Sequence, residues 1–241
     1  MTPYFQHKNI TLFHADCMDI LPQMDDKLFP LAITDPPYFD GPGNLGYYGE
    51  RTSPIGVHRK AYSVPNWKIP DAEYFKQLQR VSKHQIIWGI NYFPITNLGP
   101  GRIIWDKCNG ESSFSDAEIA YTSCHDSVRL FPYMWNGMCQ GKSISEGRLQ
   151  QGNKKLNEKR IHATQKPVAL YHYLLINYAK PGFHIIDSHL GSGSIAIACL
   201  DMGHPLTAIE IDKQVLDKAV ARIENYLKQP KWFKPVNTIN L

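Results

Sequence analysis

Residues 183–212 read FHIIDSHLGSGSIAIACLDMGHPLTAIEID, and the order of patterns within them decides the fold class. A short apolar run ends at Asp187, a glycine turn follows at residues 190–193, and an apolar stretch typical of a buried helix ends at Gly203. A second apolar run at residues 206–211 predicts another buried strand. Strand, glycine turn, helix and strand form a βαβ unit, so the sequence predicts an α/β protein with a parallel sheet.

The rest of the chain carries the same alternation of strands and helices. Residues 9–21 predict a strand, a turn and a short helix. Apolar runs predict further strands at residues 29–34, 85–88, 102–105 and 118–122, and helical periodicity predicts helices at residues 71–82, 167–178 and 213–228.

The glycine turn has the features of a nucleoside site. Gly191 and Gly193 bring backbone N–H groups and a helix N-terminus together with no Cβ atom in the way. Glu210 ends the next strand 19 residues after Gly191, where a carboxylate can accept hydrogen bonds from both hydroxyls of a ribose. Ile195 and Ala196 stand where a dinucleotide fingerprint would have its third glycine. We therefore expect a nucleoside ligand without a pyrophosphate, which disfavours a nicotinamide-dependent oxidoreductase.

The tetrapeptide Asp-Pro-Pro-Tyr, residues 35–38, follows a predicted strand directly. Its two prolines fix φ near −65° and remove two N–H donors, which leaves a rigid ledge of carbonyl oxygens. An aspartate there offers only acceptors, and a tyrosine offers a face for stacking. These groups suit the exocyclic amine of a nucleobase, although a simple strand-ending turn is the alternative. The candidate catalytic residues are Asp35, Pro36, Pro37 and Tyr38.

This tetrapeptide precedes Gly191 by about 150 residues. In that order of motifs the sequence resembles the S-adenosylmethionine-dependent DNA amino-methyltransferases of class β, in which D-P-P-Y comes early and the cofactor motif late. The resemblance implies a Rossmann-like methyltransferase fold, with a mainly parallel seven-stranded sheet and helices on both faces. It also implies a single methyltransferase domain over residues 1–241.

Three further stretches match the family. Residues 15–17, Ala-Asp-Cys, resemble its G-D-C motif near the cofactor adenine, and residues 162–167, His-Ala-Thr-Gln-Lys-Pro, resemble its H-P-T-Q-K-P motif near the methionine end. Residues 187–193 resemble D-P-F-x-G-S-G, but with Ser188 and His189 in place of proline and phenylalanine, and we expect His189 to pack behind the pocket. The resemblance implies S-adenosylmethionine as the cofactor. The residues implied to bind it are Asp16, Cys17, Thr164, Lys166, Asp187, Leu190, Gly191, Ser192, Gly193 and Glu210.

The activity that the resemblance implies is transfer of a methyl group to N6 of adenine in DNA. The target atom is inaccessible in a stacked duplex, so the base must flip out, with Tyr38 stacking on it and a glycine-rich loop at about residues 39–66 closing over it. No covalent intermediate is implied. Cytosine N4 is the nearest rival substrate, although serine is commoner than aspartate at the first motif position in cytosine enzymes. RNA, a protein side-chain amide and a non-catalytic DNA- or cofactor-binding module are more distant alternatives.

Positive charge is concentrated in one segment. The chain has 26 Lys and Arg against 22 Asp and Glu, whereas residues 142–166 contain seven bases and only two acids. We expect an insertion at about residues 131–161 to recognise double-stranded DNA through phosphate contacts, with a solvated surface as the alternative. The candidate DNA-binding residues are Arg51, Lys142, Arg148, Lys154, Lys155, Lys159 and Arg160.

Composition excludes several other classes. Five scattered cysteines without a C-x-x-C pair argue against a disulfide framework and a zinc site, so no metal is expected. An apolar fraction of 43% permits a large core, but no apolar run approaches the roughly 20 residues of a membrane span. The N-terminus lacks the pattern of a secretory signal, so we expect a cytoplasmic protein with no membrane contact. The oligomeric state stays open, with a homodimer as one option.

Overall fold

The computed structural model describes most of the chain, including every stretch for which the sequence predicts a strand or helix. The described residues are 2–38, 51–52, 58–59, 69–110, 115–136, 139–162 and 164–229, without the side chains of residues 51–52, 58–59 and 154. The predicted loop at about residues 39–66 therefore lies outside the described residues, except for the backbone of two short strands.

Thirteen strands and five α-helices occur in this part of the chain. The strands are β1 Phe5–His7, β2 Ile10–His14, β3 Phe29–Thr34, β4 Arg51–Thr52, β5 His58–Arg59, β6 Ser82–Trp88, β7 Arg102–Asp106, β8 Ala117–Thr122, β9 Val128–Pro132, β10 Trp135–Asn136, β11 Cys139–Gln140, β12 Ile185–Asp187 and β13 Leu206–Glu210. The helices are α1 Cys17–Ile20, α2 Ala72–Val81, α3 Val168–Tyr178, α4 Ser194–Met202 and α5 Lys213–Leu227.

One large sheet forms the centre of the fold, with the strand order β1-β2-β13-β12-β3-β6-β8-β7-β9. The five strands from β2 to β6 in that order are mutually parallel, whereas β8 is antiparallel to both of its neighbours. The chain is therefore an α/β protein with a mainly parallel sheet, as the sequence predicts. β12, which begins the predicted βαβ unit, lies beside β3, so the glycine turn and the Asp-Pro-Pro-Tyr motif are brought to neighbouring strand ends.

The sheet has nine strands where the resemblance implied seven. The two additional strands are β1, which forms an antiparallel hairpin with β2, and β9, which adds in parallel to β7. Both lie at the sheet edges, and neither shows the pattern of a buried strand. The first three residues of β9 are exposed, and β1 has only three residues. The pattern of buried residues therefore identified the seven inner strands and missed both edges.

Helices cover both faces of the sheet. Helices α3, α4 and α5 pack on one face through side chains such as Leu174 and Leu216, whereas α1 and α2 pack on the other through side chains such as Leu78. Each face of the sheet thus has its own apolar core. Successive strand residues point alternately into one core and the other, as Leu31 and Ala32 of β3 do. None of the described helices is long and apolar enough to cross a membrane.

Three aspartates begin helices near one edge of the sheet. The side chain of Asp16 accepts a hydrogen bond from the backbone at the start of α1, Asp71 does so for α2, and Asp212 does so for α5. Such side-chain caps satisfy N–H groups that have no partner within the helix. The same three residues line a single cavity.

The predicted insertion at about residues 131–161 begins at the end of a strand of the large sheet. Its first two residues complete β9, and Phe131, Tyr133 and Trp135 belong to the main core. β10 and β11 then form a small separate hairpin. The mostly polar composition of the segment hid this arrangement, because its apolar contacts with the core come from a few side chains.

Glu158 connects the end of this segment to the core. Its carboxylate accepts a hydrogen bond from the backbone N–H of Val168 at 2.9 Å and forms an ion pair with Arg222 of α5. Arg222 also donates to the carbonyl of Ser192 at 2.8 Å and to Ser194 Oγ at 2.9 Å. Both partners of the ion pair are largely buried. One carboxylate therefore holds together the start of α3, helix α5 and the glycine turn.

We expect Glu158→Ala to destabilise the protein by about 3 kcal/mol or more, because it leaves Arg222 buried without its carboxylate. Glu146→Ala is the matched control, since the Lys142–Glu146 pair is exposed and worth less than about 1 kcal/mol. Urea unfolding followed by circular dichroism measures both changes. Equal losses of stability in the two variants would contradict the anchoring role.

Candidate active site

A cavity opens at the carboxyl ends of the inner strands β2, β13, β12 and β3, the usual ligand position in an open α/β sheet. The Asp-Pro-Pro-Tyr motif forms one part of its wall, and the glycine turn forms another. Of the ten predicted cofactor-binding residues, eight line it: Asp16, Cys17, Thr164, Lys166, Leu190, Gly191, Ser192 and Glu210. The fold thus unites two motifs that lie far apart in the sequence.

Asp187 and Gly193 are the two predicted cofactor residues that do not line the cavity. Asp187 is fully buried at the end of β12 and accepts a hydrogen bond from the backbone N–H of His189. Burial raises the pKa of Asp187 to about 7, and the charges of Asp35 and Glu210 add to that rise. Gly193 has a φ of +74°, and a Cβ there would lie 3.3 Å from Ala219 of α5. Both residues shape the turn from behind the cavity wall.

Glu210 is oriented by the turn that it faces. Its two carboxylate oxygens accept hydrogen bonds from the backbone N–H groups of Gly191 at 2.8 Å and Asp212 at 2.9 Å. Each carboxylate oxygen has a second acceptor position, so the group can still accept from a diol. Burial raises the pKa of Glu210, while these backbone hydrogen bonds favour the charged form.

His189 lines the cavity, although the sequence analysis expected it to pack behind the pocket. Its Nδ1 lies 3.0 Å from Ser188 Oγ, and Ser188 Oγ lies 2.8 Å from the Tyr74 hydroxyl. Burial lowers the pKa of His189 to about 4, so the imidazole is neutral near pH 7. Cys17 lies beside it with a thiol pKa that burial raises to about 12, so this cysteine is a protonated thiol and no nucleophile.

The catalytic candidate Asp35 follows the last residue of β3 and pairs with a buried lysine. Asp35 Oδ2 lies 2.5 Å from Lys166 Nζ, whereas Asp35 Oδ1 has no hydrogen-bond partner among the residues that the structure describes. Lys166 was predicted to contact the cofactor and was counted in the basic segment. Lys166 lines the cavity, and the structure also places its ammonium against the candidate catalytic carboxylate, with a side chain that is only 3% exposed.

Lys166 has a second carboxylate partner that the sequence analysis missed. Glu118 of β8 lies 2.9 Å from Lys166 Nζ and 2.7 Å from Lys107 Nζ. Despite burial, Lys166 and Lys107 hold the pKa of Glu118 down, at about 2. Burial raises the pKa of Asp35, a rise that Lys166 opposes and Glu118 reinforces. The four side chains form a line of alternating charges that ends at Asp35.

Tyr38 is held in place by a glycine. Gly89 follows β6 with a φ of +69°, and a Cβ at this position would lie 2.2 Å from Tyr38 Cδ1. The ring of Tyr92 stacks on the ring of Tyr38, with the two centroids 4.7 Å apart and the ring planes 13° from parallel. Tyr92 is 56% exposed, so the pair presents an aromatic surface beside the cavity.

The predicted DNA-binding residues divide into three groups. Lys142, Arg148, Lys155 and Lys159 are exposed, although Lys142 also pairs with Glu146. Arg160 instead packs its guanidinium on the Trp135 ring, 4.5 Å from the centroid, and donates to the Trp135 carbonyl. The side chains of Arg51 and Lys154 lie outside the described residues.

A family of DNA methylases matches residues 54–221, and the chain belongs to this family of N6 and N4 amino-methyltransferases. The chain is 22% identical over 251 residues to the type II methyltransferase M2.DpnII of Streptococcus pneumoniae, with 92% of each chain covered. It is 23% identical over 267 residues to the type II methyltransferase M.ScaI of Streptomyces caespitosus, covering 92% of this chain and 84% of that one.

Solved structures show the same fold. The cytosine-N4-specific PvuII DNA methyltransferase superposes with a TM-score of 0.56 at 10% identity, covering 96% of this chain and 90% of the other. The M1.HpyAVI–S-adenosylmethionine complex superposes with a TM-score of 0.52 at 18% identity, covering 88% and 99%. The fold is therefore that of the S-adenosylmethionine-dependent methyltransferases.

S-adenosylmethionine is the cofactor of this family, and the residues of the cavity fit it. An open glycine turn, a carboxylate with unused acceptor positions and a neutral histidine meet in one cavity. These groups suit a nucleoside with a free ribose diol.

Gly89→Ala tests whether the position of Tyr38 matters, because the added methyl group must displace the tyrosine ring. We expect methyl transfer to DNA to fall by about tenfold or more, as loss of a stacking contact would cause. Gly203→Ala is the matched control, since Gly203 has a similar φ of +75° but open space around its Cβ position. Backbone strain should cost each variant about 1 kcal/mol, and urea unfolding should show a larger total loss for Gly89→Ala because its Cβ also displaces the tyrosine ring. Equal methylation rates in the two variants would show that the ring position is unimportant.

Proposed function

We propose that this protein methylates the exocyclic N6 of adenine in double-stranded DNA, acting on a base that is flipped out of the helix. One observation carries the proposal. Asp35 lines the same cavity as the glycine turn, and its Oδ1 is a shielded acceptor with no hydrogen-bond partner among the described residues. This supports the proposal, because an acceptor for an amine would then lie beside the site that suits S-adenosylmethionine.

The amine of adenine is a poor nucleophile because its lone pair is delocalised into the ring. S-adenosylmethionine supplies a methyl group that its sulfonium sulfur has already activated. Asp35 Oδ1 and the carbonyl of Pro36 would accept the two amine hydrogens, which favours a tetrahedral nitrogen whose lone pair is no longer delocalised into the ring. Asp35 would take one proton from the nitrogen and pass it to solvent, as the nitrogen receives the methyl group and the cofactor leaves as the neutral thioether. Tyr38 would stack on the extruded base.

The remaining cavity residues would bind the cofactor. Glu210 would accept from both ribose hydroxyls, because the turn already fixes its orientation. Asp16, Cys17 and His189 lie on the same cavity wall, where they would surround the adenine. Thr164 lies in the segment that the resemblance places near the methionine end.

Both sequence relatives named above are type II methyltransferases. We propose the same assignment for this chain, as the modification enzyme of a restriction–modification system. Cytosine N4 remains the competing target, because both amines can donate two hydrogens to the same ledge.

The deciding experiment incubates the protein with labelled S-adenosylmethionine and mixed plasmid DNA, followed by mass spectrometry of the nucleosides. We expect N6-methyladenine. N4-methylcytosine instead would overturn the adenine assignment, and the absence of both would overturn the function.

The role of Asp35 is tested by single-turnover methyl transfer to an unmethylated duplex that carries the site identified in this way. Asp35→Ala should slow transfer about 100-fold, the cost of losing one preorganised hydrogen-bond partner. Asp25→Ala, which removes an exposed carboxylate, is the control and should keep the wild-type rate.

We also propose that the exposed bases of residues 142–159 contact DNA phosphates. Replacing Lys155 and Lys159 together by Gln should make the slope of log affinity against log salt concentration less steep, by an amount that corresponds to the loss of up to about two phosphate contacts. The matched control replaces Lys83 and Lys180 by Gln. Both are exposed lysines near the amino ends of parallel strands, whereas the cavity lies at the carboxyl ends. A slope equal to that of the control would leave the segment as a solvated surface.

A further inference from the structure

We propose that Glu118 and Lys107 are positioning residues that set how strongly Asp35 accepts the substrate amine, acting through Lys166. The proposal rests on the proposed function, because it concerns the same amine and the same carboxylate. It adds two residues that the motifs of the family resemblance do not include.

Neither residue lines the described cavity, so each must act through a neighbour. The contacts run from Lys107 Nζ to Glu118 Oε1 at 2.7 Å, from Glu118 Oε2 to Lys166 Nζ at 2.9 Å, and from Lys166 Nζ to Asp35 Oδ2 at 2.5 Å. The side chains of the four residues are between 3% and 20% exposed. Solvent screens such a line of charges far less than it screens a surface pair.

Each of the two lysines lies near the ring of one tryptophan. Lys107 Nζ lies 5.4 Å from the ring centroid of Trp105, and Lys166 Nζ lies 5.6 Å from that of Trp88. Both tryptophans are buried. Apolar surroundings strengthen the interaction between neighbouring charges. The removal of a charge at Lys107 or Glu118 therefore changes the electrostatic potential at Asp35.

The alternation of charge has a chemical consequence for Asp35. If Lys166 had Asp35 as its only partner, it would neutralise that carboxylate and weaken it as an acceptor for the amine. Glu118 shares the ammonium and so leaves Asp35 more basic. Lys107 opposes this effect because it neutralises part of the charge of Glu118. The two outer residues therefore act on Asp35 in opposite directions, which agrees with the directions in which they shift its pKa.

Two other titratable groups face Asp35. Asp187 of β12 and Tyr171 of α3 both interact with its charge. Burial raises the pKa of Tyr171 well above its usual range, so Tyr171 stays neutral. Asp187 is a second carboxyl group with a raised pKa, which burial brings to about 7. The experiment must therefore assign the observed titration to one of the two carboxyl groups.

The test measures single-turnover methyl transfer as a function of pH, with cofactor and duplex DNA both saturating. The active form of Asp35 is the carboxylate, so the rate falls as pH drops through its pKa. We call this fall in rate at low pH the acidic limb. Asp35→Asn tests whether the limb belongs to Asp35, because the residual rate of this variant should then not fall at low pH. Glu118→Gln should move the limb to lower pH by roughly one unit and reduce the plateau rate, whereas Lys107→Met should move it to higher pH.

The exposed ion pair Lys76–Glu73 provides matched controls with the same chemistry. Glu73→Gln and Lys76→Met should leave both the limb and the plateau unchanged. Circular dichroism and calorimetric cofactor binding check that every variant folds. Should Glu118→Gln fail to fold, the direction of the Lys107→Met shift decides by itself.

Opposite shifts of the limb support the proposal. If Glu118→Gln and Lys107→Met lower the rate by the same factor at every pH, their role is purely structural and the proposal is overturned. Limbs that stay in place, or that move in the same direction in both variants, also overturn the proposal. A limb that persists in Asp35→Asn belongs to another group and also overturns it. A wild-type protein that transfers no methyl group to DNA would contradict the proposed function itself, and this inference with it.

Discussion

The buried ammonium of Lys166 is the constraint around which the candidate active site is organised. A lysine that is 3% exposed keeps its charge only if anions surround it, because the desolvation of an unpaired ammonium costs several kcal/mol. Asp35 and Glu118 provide those anions from two strands that are not adjacent in the sheet, β3 and β8. The pKa of Lys166 accordingly stays above its usual range despite burial.

The direction of one strand makes this arrangement possible. The carboxyl ends of parallel strands share one edge of a sheet, whereas an antiparallel strand begins at that edge. β8 is antiparallel to both neighbours, and Glu118 at its start pairs with Trp105 near the end of β7. Lys107 follows β7 immediately. The reversed strand β8 thus brings a carboxylate, and the end of β7 brings a second lysine, to the edge where Asp35 already lies.

Local sequence patterns predict most of the fold and the two principal parts of the site. The apolar runs place the inner strands within a few residues, because strands buried on both faces need continuous apolar segments. The tetrapeptide at residues 35–38 and the turn at residues 190–193 are recognisable because proline and glycine restrict or release the backbone in specific ways. Glu118 and Lys107 have no comparable signal, since a single acid or base at a strand end is typical of a solvated surface. Their partners depend on strand order and direction, which no short stretch of sequence encodes.

Lys166 also connects the two halves of the cavity. Its backbone carbonyl accepts a hydrogen bond from Ser194 Oγ at 2.7 Å, and Ser194 is the first residue of the helix that the glycine turn begins. Its side chain reaches in the other direction, to Asp35. A displacement of the glycine turn would therefore move the backbone that carries the Lys166 ammonium, and with it the partner of the Asp35 carboxylate. The geometry of the cofactor-binding turn and the acceptor strength of the candidate catalytic residue are linked through one side chain. This linkage explains why a residue of the cofactor motif is buried behind the carboxylate that would hold the substrate.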